Sequence, residues 1–334
     1  MKTLKNTIFF LGVLVLGSCC KDKPIPITNE PIKDNCPEMY DARSTPYINP
    51  YMGTLFTQSP IPPGHIYPDK YCYWYPCMNP TNEFEFCYAR RENGVQANDD
   101  MDLYKYNFCS GKSTLITKHI AYCTDWSVKD WIIFTGQNRD LWKVKSNGDS
   151  LMRLTFTGNS QTDVVWNATG NLFIWNNTKI ADENGNTKHT ITNLGTILGW
   201  ADENNIFSMS QGANNVKKVN IRTNQVTDFI PTNGNVYYKY LTNSNEFLGV
   251  EDSMYIYTKN IIYNVTNNKT TYMSSSYLPQ SFPSNVYCKF GDKILLQQIL
   301  RDTLTGDPAL LNFRSHIAIM NADGTNERQI LLPE

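Results

Sequence analysis

An aromatic residue returns along the second half of this chain at nearly regular spacing: Trp126, Trp166, Trp200 and Tyr240 stand 40, 34 and 40 residues apart. Each is followed five to seven residues later by an apolar run: Trp131-Ile132-Ile133-Phe134, Asn171-Leu172-Phe173-Ile174, Asn205-Ile206-Phe207 and Asn245-Glu246-Phe247-Leu248. A repeat of roughly 35–45 residues with several short strands is the mark of a ring of small sheets, a β-propeller. One such unit is apolar on both faces and needs a neighbour on each side. The aromatic content of 13 % fits strands, and abundant Asn and Thr fit the turns between them. The recurring Trp/Tyr reads as core packed between units.

Charge is balanced, with 30 basic against 31 acidic residues. No basic stripe points to nucleic acid, and no acidic block forms a solvating tail. With a mean hydropathy of −0.42, only the N-terminus is apolar enough to meet a membrane. Lys2 and Lys5 precede a short apolar run, Ile8 to Leu16, too short to span a bilayer as a helix. Leu16-Gly17-Ser18-Cys19 then resembles the bacterial lipobox. That resemblance implies a signal peptide over residues 1–18, cleavage before Cys19 and acylation of its thiol. Two or more acyl chains anchor firmly where one holds only marginally. The next residue is Cys20 rather than Asp, so nothing resembles an inner-membrane retention signal. The expected address is the outer membrane, facing the periplasm or the cell surface.

Counting Cys20, eight cysteines follow Cys19, six of them from Cys36 to Cys123. An exported chain can oxidise them, and one or two bridges would pin the N-terminal segment to the first repeats. Buried free thiols are the alternative reading. Cys72 and Cys77 lack a second Cys/His pair at zinc spacing, so no metal and no cofactor is expected.

Twelve of the 17 prolines lie between Pro24 and Pro80. Residues 20 to about 50 read as an extended, semi-rigid tether. Residues 51–69 read as a packing segment, with one strand near Thr54-Leu55-Phe56-Thr57. The second repeat is the clearest. Ile120–Asp125 is its first strand, Trp131–Thr135 its second, Asp140–Lys145 its third and Ser150–Thr155 its fourth, with a Ser146-Asn147-Gly148 hairpin turn. The segments Asp140–Thr155 and His316–Ile330 resemble the third and fourth strands of a TolB-like propeller repeat. Asp102–Asn107 and Asn215–Asn220 repeat the third-strand pattern. The resemblance implies a six-bladed β-propeller of four-stranded antiparallel blades over residues 70–334, preceded by the Pro-rich tether of residues 19–69. Its blades would be 70–118, 119–157, 160–192, 195–231, 234–274 and 283–332. In the fifth, Met254–Tyr257 and Asn260–Val265 compete for the third strand.

No catalytic motif survives inspection. Ser110-Gly111-Lys112-Ser113-Thr114 echoes a phosphate loop, but it lies between two expected strands and not before a helix. It reads as a hairpin turn. His65, His119, His189 and His316 have no nucleophile motif beside them. Asn98-Asp99-Asp100-Met101-Asp102 lacks the pattern of a calcium loop and reads as a solvated acidic turn.

Loop length is more informative. The hairpins Ser127–Asp130, Asn167–Gly170 and Ala201–Asn204 are short and share one end of their blades. The connections Arg91–Met101, Ser208–Asn214, Ser274–Pro283 and Leu300–Asn312 are long and open at the other end. Variable loops on a rigid scaffold are where binding sites concentrate. That end would be lined by Arg91, Glu92, Asp99, Asp100, Arg139, Tyr277, Arg301, Asp307 and Arg314. Three Asp-Ser/Thr-apolar triplets, centred on Ser150, Ser253 and Thr303, resemble an O-glycosylation motif of exported bacterial proteins. The functional expectation is a non-catalytic, lipid-anchored envelope protein that binds a protein or glycan partner. The alternative is a propeller lyase or glycosidase with paired carboxylates at the channel mouth.

Overall fold

The computed structural model describes residues 36, 43–46, 70–92, 101–136, 138–158, 164–176, 178–192, 195–209, 215–230, 236–241, 246–253, 257–272, 285–290, 292–301, 313–323, 325–326 and 328–333. The backbone divides into two compact units, Met1–Asp34 and Asn35–Glu334, and every described residue belongs to the second. The signal segment, Cys19 and the strand expected at Thr54–Thr57 lie outside the described residues.

The described residues are all-β. One strand, β1 (Ser44–Pro46), stands apart from its sequence neighbours. The strands β2 (Tyr71–Asn79), β3 (Asn82–Glu92), β4 (Met101–Asn107), β5 (Lys112–Trp126), β6 (Trp131–Gly136), β7 (Leu141–Lys145) and β8 (Met152–Arg153) form one seven-stranded sheet in that order. A four-stranded sheet follows: β9 (Val165–Trp166), β10 (Leu172–Trp175), β11 (Lys179–Asp182) and β12 (Thr187–Thr190). The next holds β13 (Thr196–Asp202), β14 (Asn205–Met209), β15 (Val216–Asn220) and β16 (Val226–Ile230). Then come β17 (Val236–Leu241), β18 (Glu246–Ser253), β19 (Tyr257–Asn264) and β20 (Lys269–Tyr272). The last sheet comprises β21 (Asn285–Phe290), β22 (Lys293–Arg301), β23 (Phe313–Asn321) and β24 (Arg328–Ile330), with β1 added beside β24. Neighbouring strands pair antiparallel, and no sheet closes on itself.

The seven-stranded sheet is two four-stranded meanders that share β5. Its first half pairs with β4, from Lys112↔Asn107 to Ile120↔Met101. Its second half pairs with β6, from Ile120↔Gly136 to Trp126↔Ile132. Register shifts on both sides of Ile120 and a positive φ of 61° at His119 bend the strand where it changes partner. The described residues therefore form six four-stranded meanders. Their first strands touch in cyclic order: β2 meets β5, β5 meets β9, β9 meets β13, β13 meets β17, β17 meets β21, and β21 meets β2.

Period-two alternation explains the core. Along β3, Phe86 and Tyr88 point into one cluster with Leu295, Ile317 and Ile319 of the sixth meander. Their neighbours Cys87 and Ala89 point the other way, against Trp126, Ile132 and Phe134 of the second. Ile133 and Leu141 meet Trp166 and Phe173 of the third meander, and Ile174 and Ile180 meet Trp200 and Ile206 of the fourth. Phe207 packs with Phe247 of the fifth, whose Ile262 packs on Ile294 and Leu296 of the sixth. Each seam between consecutive meanders has its own apolar cluster, and so has the seam between last and first.

The recurring tryptophans lie in these seams: Trp126 and Trp166 are 4 % exposed and Trp200 is fully buried. The residue after each of the first two shapes the following hairpin. Ser127 Oγ accepts from the Trp131 N–H at 3.1 Å. Asn167 Oδ1 accepts from the N–H groups of Asn171 and Leu172, both at 3.0 Å.

Three details sharpen the sequence expectations. In the fifth meander β19 is the third strand, in register with β18 from Ser253↔Tyr257 to Glu246↔Asn264. The fourth strand of the second meander shrinks from Ser150–Thr155 to Met152–Arg153. Asp140 captures Thr155 Oγ1, Thr157 N and Gly158 N, and this pulls the chain off the ladder. The Ser110–Thr114 segment is a hairpin turn into β5, with Gly111 at φ 66° and its N–H bonded to the Asn107 carbonyl.

Part of the segment read as a tether is built into the sheet structure. β1 pairs with β24 over Ser44↔Ile330 to Pro46↔Arg328. Arg328 donates to the Ser44 hydroxyl at 2.7 Å and to its carbonyl at 2.8 Å. Arg43 Nε donates to the Phe108 carbonyl at 2.9 Å. A disulfide joins Cys36 to Cys109, whose Cα atoms are 5.1 Å apart. Residues 36 and 43–46 thus hold the first meander at one point and the sixth at another. Cys72, Cys77 and Cys87 are buried and reduced.

Candidate functional site

Register brings one end of the seven-stranded sheet into focus. Arg90 faces Asp102, Met101 faces Ile120, and Ile120 faces Gly136. The end of β3, the start of β4, the bend of β5 and the β6–β7 connection therefore share one rim, the end expected to carry the long loops. A cleft of about 170 Å³ opens here between the outer half of β5 and β6–β8. Thr117, Lys118 and His119 form one wall; Phe134, Gly136 and Trp142 form another, and Asn138 and Leu151 flank it.

Trp142 holds its place because residue 136 is glycine. A Cβ there would stand 2.6 Å from both Cδ1 and Nε1 of the indole. Phe134 and Trp142 are direct cross-strand partners, and Trp142 lies diagonally across from Gly136. Arg153 lies over the Trp142 ring, 5.9 Å from its centroid, and over Phe156 at 4.5 Å.

The β6–β7 connection is fixed by Asp140, whose carboxylate is fully buried. It accepts from Arg153 Nη2 at 2.5 Å, Thr155 Oγ1 at 2.9 Å, Thr157 N at 2.8 Å and Gly158 N at 3.2 Å. Burial pushes this carboxyl up, but the bonds from Arg153, Gly158, Thr155 and Thr157 outweigh it and hold the group below the usual carboxylate range.

Backbone strain gathers around the cleft. Among the described residues nine non-glycine positions have positive φ, and five of them are the Asn or Asp that tolerate it. The other four are Tyr75, His119, Arg139 and Ser150. His119 lines the cleft, Arg139 follows Asn138 and Ser150 precedes Leu151. Strain of this kind persists only where the surroundings over-determine it, and it clusters at functional positions.

The residues expected on this face are placed as follows. Arg91 and Glu92 end β3 opposite Cys72 and Tyr71. The Arg91 Nε is buried without a hydrogen-bond partner among the described residues. Arg139 is exposed in the β6–β7 turn beside the cleft. Arg301 and Arg314 lie at the same end of β22 and β23, where Leu300 faces Arg314 and Arg301 faces Phe313; their side chains are not described. Asp99, Asp100, Tyr277 and Asp307 lie outside the described residues, as does Thr303. Of the glycosylation triplets, Ser150 is exposed in the β7–β8 hairpin and Ser253 ends β18.

Sequence reasoning missed Lys118, His119 and Trp142 as a group. The local signal was the glycine at position 136, just after the apolar run Trp131–Phe134. It also missed the Arg90 guanidinium, sandwiched 4.2 Å from the Tyr71 ring and 4.1 Å from the Tyr104 ring, which donates to the Tyr104 hydroxyl.

No protein-family model and no curated protein matches this chain. Similar solved structures include TolB from Acinetobacter baumannii, at 11 % identity and a TM-score of 0.39, over 77 % of this chain and 54 % of that one. A puromycin-hydrolyzing peptidase from Mycobacterium tuberculosis is similar at 9 % identity and a TM-score of 0.45, over 79 % of this chain and 53 % of that one. This chain therefore spans about half the length of either.

Proposed function

We propose that this chain is an outer-membrane lipoprotein anchored through Cys19, with a six-bladed β-propeller body that serves as a non-catalytic binding module. Its partner is a protein or glycan of the cell envelope, taken at the long-loop end. The propeller reading is supported by the cyclic contacts of the first strands and by an apolar cluster in every seam, including the one between last and first meanders. The anchor reading rests on the charged, apolar and small-residue order that ends at Cys19. The observation that carries the binding reading is the gathering of His119, Arg139 and Ser150, all at positive φ, around one cleft.

The test is a crosslinking pull-down from intact cells. It compares the native protein with a variant carrying Arg91, Arg139, Arg301 and Arg314 all changed to Ala. Loss of a captured partner in the variant is the expected result. Equal capture by both would move the interface off this end. Incorporation of radiolabelled palmitate, abolished by Cys19→Ala, checks the anchor.

A further inference from the structure

The cleft has a chemistry of its own. Its volume of about 170 Å³ is below the roughly 300–1,000 Å³ of sites for drug-sized ligands. It has room for one ring or one side chain, not for a dinucleotide or a flavin. Half-buried Trp142 gives it an aromatic wall, with Phe134 beneath in the core. The C–H groups on the apolar face of a sugar ring carry partial positive charge, which the negative π face of an indole attracts.

The polar side chains around that wall are the Thr117 hydroxyl, the Lys118 ammonium, the His119 imidazole and the Asn138 amide. Lys118, His119 and Asn138 are exposed, and among the described residues none that lines the cleft is a carboxylate. The two carboxylates nearest in sequence to the β6–β8 wall are engaged elsewhere. Asp140 is buried under four hydrogen bonds, and Asp149 accepts from the Asn147 amide at 2.8 Å. Arg139, exposed beside Asn138, adds a second cation at the rim. The site is therefore rich in donors and cations, so it suits a ligand rich in acceptors that carries negative charge.

A peptide would need more than the cleft offers. Strand addition is the usual way an extended peptide joins a sheet, but the free edge beside the cleft is β8, which is two residues long.

We propose that this cleft is a subsite for a carboxylated pyranose, one acidic sugar ring of an envelope glycan. The ring rests against Trp142, and its carboxylate meets Lys118, with Arg139 at the rim. The proposal rests on the reading of this end as a binding surface and names its ligand class.

The experiment titrates the detergent-solubilised mature protein with trigalacturonate, neutral galactotriose and triglutamate, by calorimetry and tryptophan fluorescence. Trigalacturonate is expected to bind at least tenfold tighter than galactotriose, and to weaken as salt screens the charge. Lys118→Ala should lose roughly 10–100-fold for trigalacturonate, the worth of one hydrogen bond to a charged group, and leave galactotriose unchanged. Trp142→Phe, which keeps an aromatic wall, should retain binding, whereas Trp142→Ala should lose it. Thermal melts separate loss of contact from loss of fold.

Equal binding of the neutral sugar overturns the carboxylate. Equal binding of triglutamate overturns the pyranose. No saccharide binding overturns the subsite altogether. The pull-down from intact cells is independent of all three, so a partner lost on changing the four arginines would keep the broader binding function standing while this inference falls.

Discussion

The indole nitrogen of Trp200 donates to the backbone carbonyl of Val165, 3.0 Å away. The bond crosses the seam between the third and fourth meanders and joins β13 to β9. One seam earlier, Asp125, the residue before Trp126, accepts from the backbone N–H of Trp166 at 2.6 Å. The recurring tryptophans are therefore packed apolar mass and also part of the polar stitching between neighbouring first strands. Trp200→Ala should cost about 3–5 kcal/mol, the range for emptying a large buried aromatic site. Trp200→Phe should cost less, since it keeps most of the buried ring and loses only the indole N–H bond to the Val165 carbonyl. Urea unfolding of both variants checks the order.

The Cys36–Cys109 bridge closes a chain segment 73 residues long. With β1 on β24, it ties together two meanders at opposite ends of the chain. Cys109→Ser, or reduction of the native protein, should lower stability by about 2–4 kcal/mol. It should also raise hydrogen exchange in β1 before that in β3 or β6. A bridge seen by mass spectrometry of non-reduced peptides, together with an unchanged melting temperature on reduction, would contradict this account.

Gly136→Ala should displace Trp142, because a Cβ there stands 2.6 Å from its indole. Overpacking of this kind costs about 1–3 kcal/mol. Near-ultraviolet circular dichroism should change with it, and the double variant Gly136→Ala with Trp142→Leu should recover part of the stability.

Stability should fall in acid through the hairpin carboxylates. Asp182 lies at the β11–β12 turn, paired with Lys188 at 2.9 Å. Burial pushes its carboxyl up, but bonds from Lys188, Asn186 and Asn184 outweigh this and lower it to about 2. Asp140 is shifted in the same direction. The unfolded carboxyls take up protons first as pH falls. The stabilisation is therefore present above the ordinary value of 3.8 and is lost as pH drops toward about 2. Asp182→Asn should flatten that part of the curve in denaturant melts at pH 5, 3.5 and 2.5.

How much of this was legible beforehand follows from the range of the interactions involved. Alternation and turn chemistry are local, so β6 and β7 and the Ser146–Gly148 turn were readable, as was the change of repeat near residue 118, where His119 bends β5. The spacing of Trp126, Trp166 and Trp200 announced their burial, because each stands at the same place in its repeat. The loop lengths singled out the end of the strands where the cleft lies. What tertiary structure alone decided depends on residues far apart in the chain. Cys109 bonds to Cys36, β1 adds to β24, and Phe86 meets Leu295. No spacing encodes such pairs, since each arises only when the sixth meander comes to rest against the first. The cleft is of the same kind. Lys118, His119, Gly136 and Trp142 are near one another in sequence, yet they face one space only because β5 leaves one meander and enters the next between them.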